Sequence, residues 1–207
     1  MSVATQRIII YNMNTPPIPQ NNVTTYDTSL LAAAGEDIFI SSNVEIRRPQ
    51  LVKLGSHIAI DTGFYLTTAL EIGNFSHIGP YVTIIGGKDG LLHIGHFSNI
   101  AAGSRIICVS DLFTGEGLVT TPGIPKEFTN LKIAPVVFKD FVNVGTNVVI
   151  LPGVTLAEGT VIGAGAVVTQ STEPWTIYVG NPARILKVRP KERMLELAAK
   201  LGYPFSS

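Results

Sequence analysis

The sequence predicts an all-β fold, a three-sided parallel β-helix of hexapeptide repeats broken by one extended loop and followed by a short C-terminal α-helix. Three observations predict it: an aliphatic side chain recurs every sixth residue, glycines recur close behind these side chains, and the recurrence stops once for a long Gly-, Pro- and Thr-rich stretch. From Leu54 the series runs through Ile60, Leu66, Ile72, Ile78 and Ile84, and after a four-residue insertion it resumes at Ile94, Ile100 and Ile106. A second block comprises Val136, Val142, Val148, Val154, Thr160 and Ala166. Thirteen of these fifteen positions are Ile, Leu or Val, against 59 of all 207 residues, so composition alone does not scatter them this way. A helix repeats every ~3.6 residues and a lone strand every ~2. Short strands joined by tight corners, three to a coil of about eighteen residues, bring one aliphatic per face onto a common axis.

Glycine follows the aliphatics directly in Ile72-Gly73, Ile78-Gly79 and Ile94-Gly95, or a few residues on at Gly103, Gly145, Gly153, Gly159, Gly163 and Gly165. Corners of this kind call for its positive φ. The open ends of a stack of coils carry unpaired backbone groups and need caps. These are an N-terminal segment, 1–37, and a C-terminal helix and tail, 190–207, around a β-helix domain at 38–189. The helix is expected from Pro190 to Leu201, where Met194, Leu195, Leu197, Ala198 and Leu201 give helical spacing and Gly202 stops it.

Composition removes several classes of function. Lys+Arg and Asp+Glu are balanced at 15 each, so nothing attracts a nucleic-acid backbone. The single cysteine, Cys108, forms no internal disulfide framework or multi-cysteine metal site and points to a cytoplasmic address. The N-terminus lacks the apolar core of a signal peptide, and no apolar stretch is long enough for a transmembrane segment. A mean hydropathy of +0.33 suits a packed core.

Between Asp111 and Ile133 the period vanishes, and an unpatterned loop of that length is expected to cover a site or reach a partner, the alternative being a tolerated surface insertion. A smaller excursion, Gly86 to Gly90, ends one coil earlier at His93. Counting in triangular units puts both insertions on one edge, with Asp111 and His93 near each other across adjacent coils. Cys108 lies within an apolar run without a local activating partner, which reads as packing rather than covalent catalysis. The four histidines, His57, His77, His93 and His96, share no phase that would gather a metal site.

From Val136 onward the chain reads VVFKDFVNVGTNVVILPGVTLAEGTVIGAGAVVTQSTEPWTIYVGNPARILK. Its final coils, GAGAVVT and the exit GNPARI resemble the hexapeptide-repeat acetyltransferases, specifically the maltose/galactoside O-acetyltransferase branch and relatives that acetylate surface-polysaccharide sugars. The resemblance covers roughly residues 38 to 190. It implies a left-handed parallel β-helix, a homotrimer, and acetyl-CoA bound between neighbouring prisms as co-substrate for a sugar or nucleotide-sugar acceptor. Matched position by position, it places Thr146, Ala164 and Thr169 along the cofactor, Asn143 where the family usually has an aromatic residue, and Arg184 and Lys187 near the phosphates; Gly163 joins the cofactor candidates for its small size. A polyanionic cofactor suits fixed cations, and small residues let a ligand approach the backbone.

The resemblance also implies a histidine base at the start of the extended loop, and this sequence has Asp111 there instead. An unperturbed aspartate, titrating near ~3.9, is a weak base for an alcohol, whereas an amine needs only to arrive neutral. O-acetylation and N-acetylation both stay open. Asp111, His93 and His77 are the candidate catalytic residues, the last because it closes the unit before Ile78-Gly79-Pro80. The alternative is a catalytically inactive trimeric scaffold or binding protein that kept the repeat and lost the histidine.

Overall fold

The computed structural model describes residues 24–204 as a solenoid of three parallel sheets joined at three edges. The first face stacks Ala33–Ala34, Val52–Leu54, Ala69–Ile72, Leu91–Ile94, Val136–Phe138 and Thr155–Leu156. The second stacks Ile38–Ile40, Ile58–Ile60, Ser76–Ile78, Asn99–Ile100, Asn143–Val144, Val161–Ile162 and Thr176–Val179, and is closed by an antiparallel strand, Arg184–Val188. The third stacks Glu45–Ile46, Tyr65–Leu66, Thr83–Ile85, Arg105–Ile107, Val149–Ile150 and Val167–Val168.

Within each short strand the pleat turns residues i and i+2 to the same side, so every unit sends two side chains inward rather than one. Leu92 and Ile94 are both buried, as are Val136 and Phe138, and Val142 and Val144. This corrects the phase of the second aliphatic block. Val136 stacks on Leu92, and the position that continues Ile94 is Phe138. The two blocks are the two inward slots of one repeat, exchanged across the loop. Where the slot holds serine, its hydroxyl is satisfied: Ser98 Oγ donates to Lys139 O at 3.1 Å and accepts from Val142 N, and Ser104 Oγ donates to Gly145 O at 2.9 Å and accepts from Val148 N.

The glycine rule divides in two. Gly63, Gly103, Gly153, Gly159 and Gly165 have positive φ, but Gly73, Gly79, Gly95, Gly145 and Gly163 do not. A Cβ on Gly95 would overlap Asp140 Oδ1 and stand 2.8 Å from Asp140 N, so it is the close approach of the next coil that requires glycine there. On the edge after the first face, positive φ falls instead on His57, Phe75, Phe97, Phe141 and Trp175. Their rings form a ladder with centroids 4.5, 5.0, 5.2 and 5.6 Å apart.

Both ends differ from expectation. The part of the N-terminal cap at 1–23 lies outside the described residues, and the first rung is already laid at Ala33–Ala34, which pairs with Lys53–Leu54. The helix spans Glu192–Ala199, shorter than Pro190 to Leu201; no side chain caps its start, and Gly202 at φ +89 lies beyond its end. It lays Met194, Leu195 and Ala198 on Phe141 and Trp175, extending the ring ladder. No helix among the described residues is long and apolar enough to cross a membrane.

The long excursion is a hairpin arm. After Ile107 the chain leaves the third face; Val109–Asp111 pairs antiparallel with Leu131–Ile133, and the coil resumes at Val136. The shorter insertion lies beside it: Gly86, Gly87, Lys88 and Asp89 share a cavity of about 230 Å³ with Val109, Leu131 and Ile133.

Candidate functional site

The register separates Asp111 from His93. His93 pairs along the first face with Glu71 on one side and Val137 on the other, so the coil-to-coil neighbour expected to be Asp111 is Val137. The reason is local: Asp111 has already left the coil for the hairpin arm, where it faces Leu131. Its Oδ1 accepts from Thr120 N at 2.9 Å and from Thr120 Oγ1 at 2.8 Å, tying the loop back onto its own root. Oδ2 accepts no hydrogen bond among the described residues.

His93 belongs to a polar row that a count of sixes does not show. Lys53 Nζ stands 3.0 Å from Glu71 Oε1, and His93 Nδ1 stands 3.5 Å from Glu71 Oε2. The Lys53 ammonium, and to a smaller extent His93, holds the Glu71 carboxyl below its usual range. The three line a groove of about 340 Å³ with His96 and Asp140. His77 lies on a different face, its Nε2 2.9 Å from Asp61 Oδ2. Among the described residues no hydrogen bond or ion pair joins Asp111, His93 and His77 to one another, so the three candidate residues do not form one cluster in a single protomer.

The expected cofactor residues fall into three places. Thr146, Gly163 and Ala164 stack on the edge between the second and third faces, where Gly165 N donates to Thr146 O at 2.8 Å. A Cβ on Gly145 would come within 2.7 Å of Ala164 N, so the backbone of the next coil leaves no room for a side chain there. Gly163 N donates to Tyr178 O at 2.8 Å and is committed within the fold, whereas Ala164 N–H donates to no group among the described residues. Thr169 and Arg184 line a groove of about 350 Å³ at the C-terminal end with Gln170, Ser171 and Glu173. Asn143 and Lys187 stand on the second face: Asn143 Oδ1 accepts from Asn99 Nδ2 at 3.0 Å, and Lys187 pairs with Ile177 on the closing strand.

Sequence reasoning missed Asn99, Arg105, Lys53 and Glu71. Asn99 stands directly beside Asn143, and Lys53 beside Glu71, so each had a signal in a spacing of one coil or one coil plus the loop. Arg189 was also missed: its Nη1 donates to Phe141 O at 2.8 Å and Gly159 O at 2.9 Å, and it sits over Trp175, fixing the exit strand to the ring ladder.

Cys108 is fully buried. Burial pushes its thiol up to about 11, even though the amides of Val136 and Leu91 donate towards the sulfur. A protonated, enclosed thiol is a poor nucleophile. Iodoacetamide at pH 8 is therefore expected to leave both Cys108 and turnover untouched until the protein unfolds; rapid native labelling with loss of activity would reverse this.

Likeness to known proteins agrees with this architecture. The family described as Bacterial transferase hexapeptide (six repeats) matches residues 135–170. The chain is 30% identical over 168 residues to an Escherichia coli dTDP-4-amino-4,6-dideoxy-D-glucose acyltransferase, covering 80% of this chain and 85% of that protein. It superimposes with a TM-score of 0.81 on a serine-to-cysteine mutant of AntD, an N-acyltransferase from Bacillus cereus, in complex with dTDP-4-amino-4,6-dideoxyglucose and coenzyme A; identity is 29%, over 87% of this chain and 98% of that one. AntD in complex with dTDP and 3-hydroxybutyryl-CoA superimposes with a TM-score of 0.78 at 30% identity, over 86% and 95%. With its parallel solenoid and this likeness over most of both lengths, the chain belongs to the hexapeptide-repeat acyltransferases.

Proposed function

We propose that this protein transfers the acetyl group of acetyl-CoA to the amino group of a nucleotide-linked amino sugar. The observation that carries the reading is the 30% identity, across 85% of its length, to a dTDP-amino-sugar acyltransferase. The site chemistry supports an amine over an alcohol. An alkoxide-forming attack needs a strong general base, whereas Asp111 has one oxygen committed to Thr120 and the other free to orient and relieve an attacking amine. His93 and His77, each beside a carboxylate, are the remaining candidates for that role.

In the proposed reaction the neutral amine nitrogen attacks the thioester carbonyl carbon, and the negative charge moves onto the carbonyl oxygen. Collapse of this intermediate forms the amide and expels the coenzyme A thiolate. The proton lost by nitrogen passes by way of Asp111 or water to that thiolate. Proximity and one oxyanion donor carry most of such a step. The pantetheine is proposed to follow Thr146, Gly163 and Ala164, with the free Ala164 N–H as a donor and Arg184 and Lys187 towards the phosphates. We take the active unit as a homotrimer, with the donor between neighbouring prisms. Exposed apolar side chains on the loop and closing strand, Phe113 at 80% and Val188 at 74%, are surfaces that such an assembly would cover.

The test is acyl-CoA-dependent thiol release with dTDP-4-amino-4,6-dideoxyglucose set beside dTDP-glucose, with acetyl-CoA and 3-hydroxybutyryl-CoA as alternative donors. Turnover of the amino sugar with acetyl-CoA is expected. No release over a broad panel of nucleotide sugars, together with no coenzyme A binding by calorimetry, would remove the reading.

A further inference from the structure

The edge that runs between the second and third faces has two ends with different chemistry. Towards the C-terminus it presents the small residues Thr146, Gly163 and Ala164. Towards the N-terminus it presents Tyr81 on the edge itself and, on the adjoining third face, the outward column Tyr65, Thr83 and Arg105, in register on successive coils. One chain of backbone hydrogen bonds links the two ends: Tyr81 N to Thr62 O, Gly103 N to Pro80 O, Asn147 N to Ala102 O and Gly165 N to Thr146 O.

Arg105 is exposed, and its Nη1 donates to the carbonyl oxygens of Tyr81, Gly103 and Ser104. Neutral carbonyls fix the guanidinium without neutralising it, and it forms no ion pair with a carboxylate among the described residues. Its Nε and Nη2 donors are uncommitted there, a fork suited to phosphate oxygens. Tyr81 is 62% exposed at φ +58. The other positive-φ residues of this edge are Gly63, Gly103, Asn147 and Gly165, which tolerate that conformation far better than a bulky aromatic does. The Tyr81 ring rests on Gly63, where a Cβ would overlap it, so one ring face is held while the other is open to stacking. Nearby, Arg47 lies 5.1 Å from the Tyr65 ring centroid, although Glu45 compensates its charge.

We propose that this N-terminal stretch of the edge binds the nucleoside diphosphate of the acceptor, Arg105 holding the phosphates and Tyr81 providing the ring against which the base stacks. The proposal rests on the acyltransferase reading above. It places donor and acceptor end to end along one edge, with Ala101, Ala102 and Gly103 between them, and makes Arg105 and Tyr81 binding residues that select nucleotide-linked over free sugars.

The test uses full-length protein, with dTDP binding by calorimetry and steady-state kinetics on dTDP-4-amino-4,6-dideoxyglucose. Arg105→Ala is expected to weaken dTDP binding and raise the KM for the nucleotide sugar by about tenfold or more, with the KM for acyl-CoA within about twofold of wild type. Arg105→Lys should recover only part of this, having lost the fork. Tyr81→Ala should weaken dTDP by roughly tenfold while Tyr81→Phe behaves as wild type. If the wild type turns over the amino sugar and both Arg105→Ala and Tyr81→Ala bind dTDP as it does, this placement is overturned and the acyltransferase reading survives. If the wild type neither binds dTDP nor releases thiol with any nucleotide sugar, both fall together.

Discussion

Replacing Asp111 by Asn is expected to lower turnover more than tenfold while coenzyme A affinity and thermal stability stay unchanged. The substitution is chosen for what it keeps. An asparagine Oδ1 can still accept from Thr120 N and Thr120 Oγ1, so the loop remains tied to its root as it is by the carboxylate. What disappears is the charge and the second carboxylate oxygen, the one with no partner among the described residues. A group that relieves the attacking amine of positive charge acts mainly in the transition state, so the loss should appear in kcat more than in KM. Thr120→Val is the companion measurement: it removes the hydroxyl donor and leaves the carboxylate. If Asp111 works only as a loop clamp, Asp111→Asn should turn over as wild type does and Thr120→Val should be the defective variant. An unaltered rate in Asp111→Asn would clear the residue of any part in the chemistry and turn attention to His93 and His77.

What the sequence could and could not reveal follows from how the solenoid is made. Period six is legible because the interior is a shared column, and each inward slot repeats down the chain. The two slots per unit do not separate in the sequence, since Leu92 and Ile94 are equally aliphatic and the loop hides the exchange from one to the other. The excursion itself is legible as a loss of period. Its internal pairing is not, because Val109–Asp111 and Leu131–Ile133 pair antiparallel across a turn whose length no hexapeptide count can supply. That single departure moves Asp111 away from His93. The edge ladder His57, Phe75, Phe97 and Phe141 could have been found as rings recurring one coil apart, the insertions allowed for. The cofactor positions rest on a resemblance, and they occupy one edge, one groove and one face rather than a single strip. Carrying residues across by motif gives their order along the chain but not which side of a three-sided column each presents.

The largest effect on stability is expected from Gly95→Ala. The added methyl would overlap Asp140 Oδ1 and stand 2.8 Å from both Asp140 N and Lys139 C, so backbone of the next coil leaves it no room. Asp140 is also the meeting point of two hydrogen bonds: Oδ1 accepts from His96 N at 2.7 Å, and Oδ2 accepts from Tyr203 OH at 2.9 Å. Burial first, and then the Asp140 carboxylate, push the Tyr203 phenol above its ordinary value, so the tyrosine remains a donor across the working pH range. Displacing Asp140 therefore loosens the edge after the first face and the tail that packs against the ring ladder. Overpacking combined with loss of two hydrogen bonds should cost on the order of 3 kcal/mol, read as a fall in the denaturation midpoint. Gly165→Ala is the control, because Gly165 has φ +71 but a Cβ added there would meet nothing within 4 Å, and conformational strain alone should cost about 1 kcal/mol. Tyr203→Phe, which removes one bond and no volume from the coil, should fall near ~1 kcal/mol. The ordering matters more than the values: if Gly95→Ala were no worse than Gly165→Ala, adjacent coils would be able to part at this edge, and close backbone stacking could not be what demands glycine there.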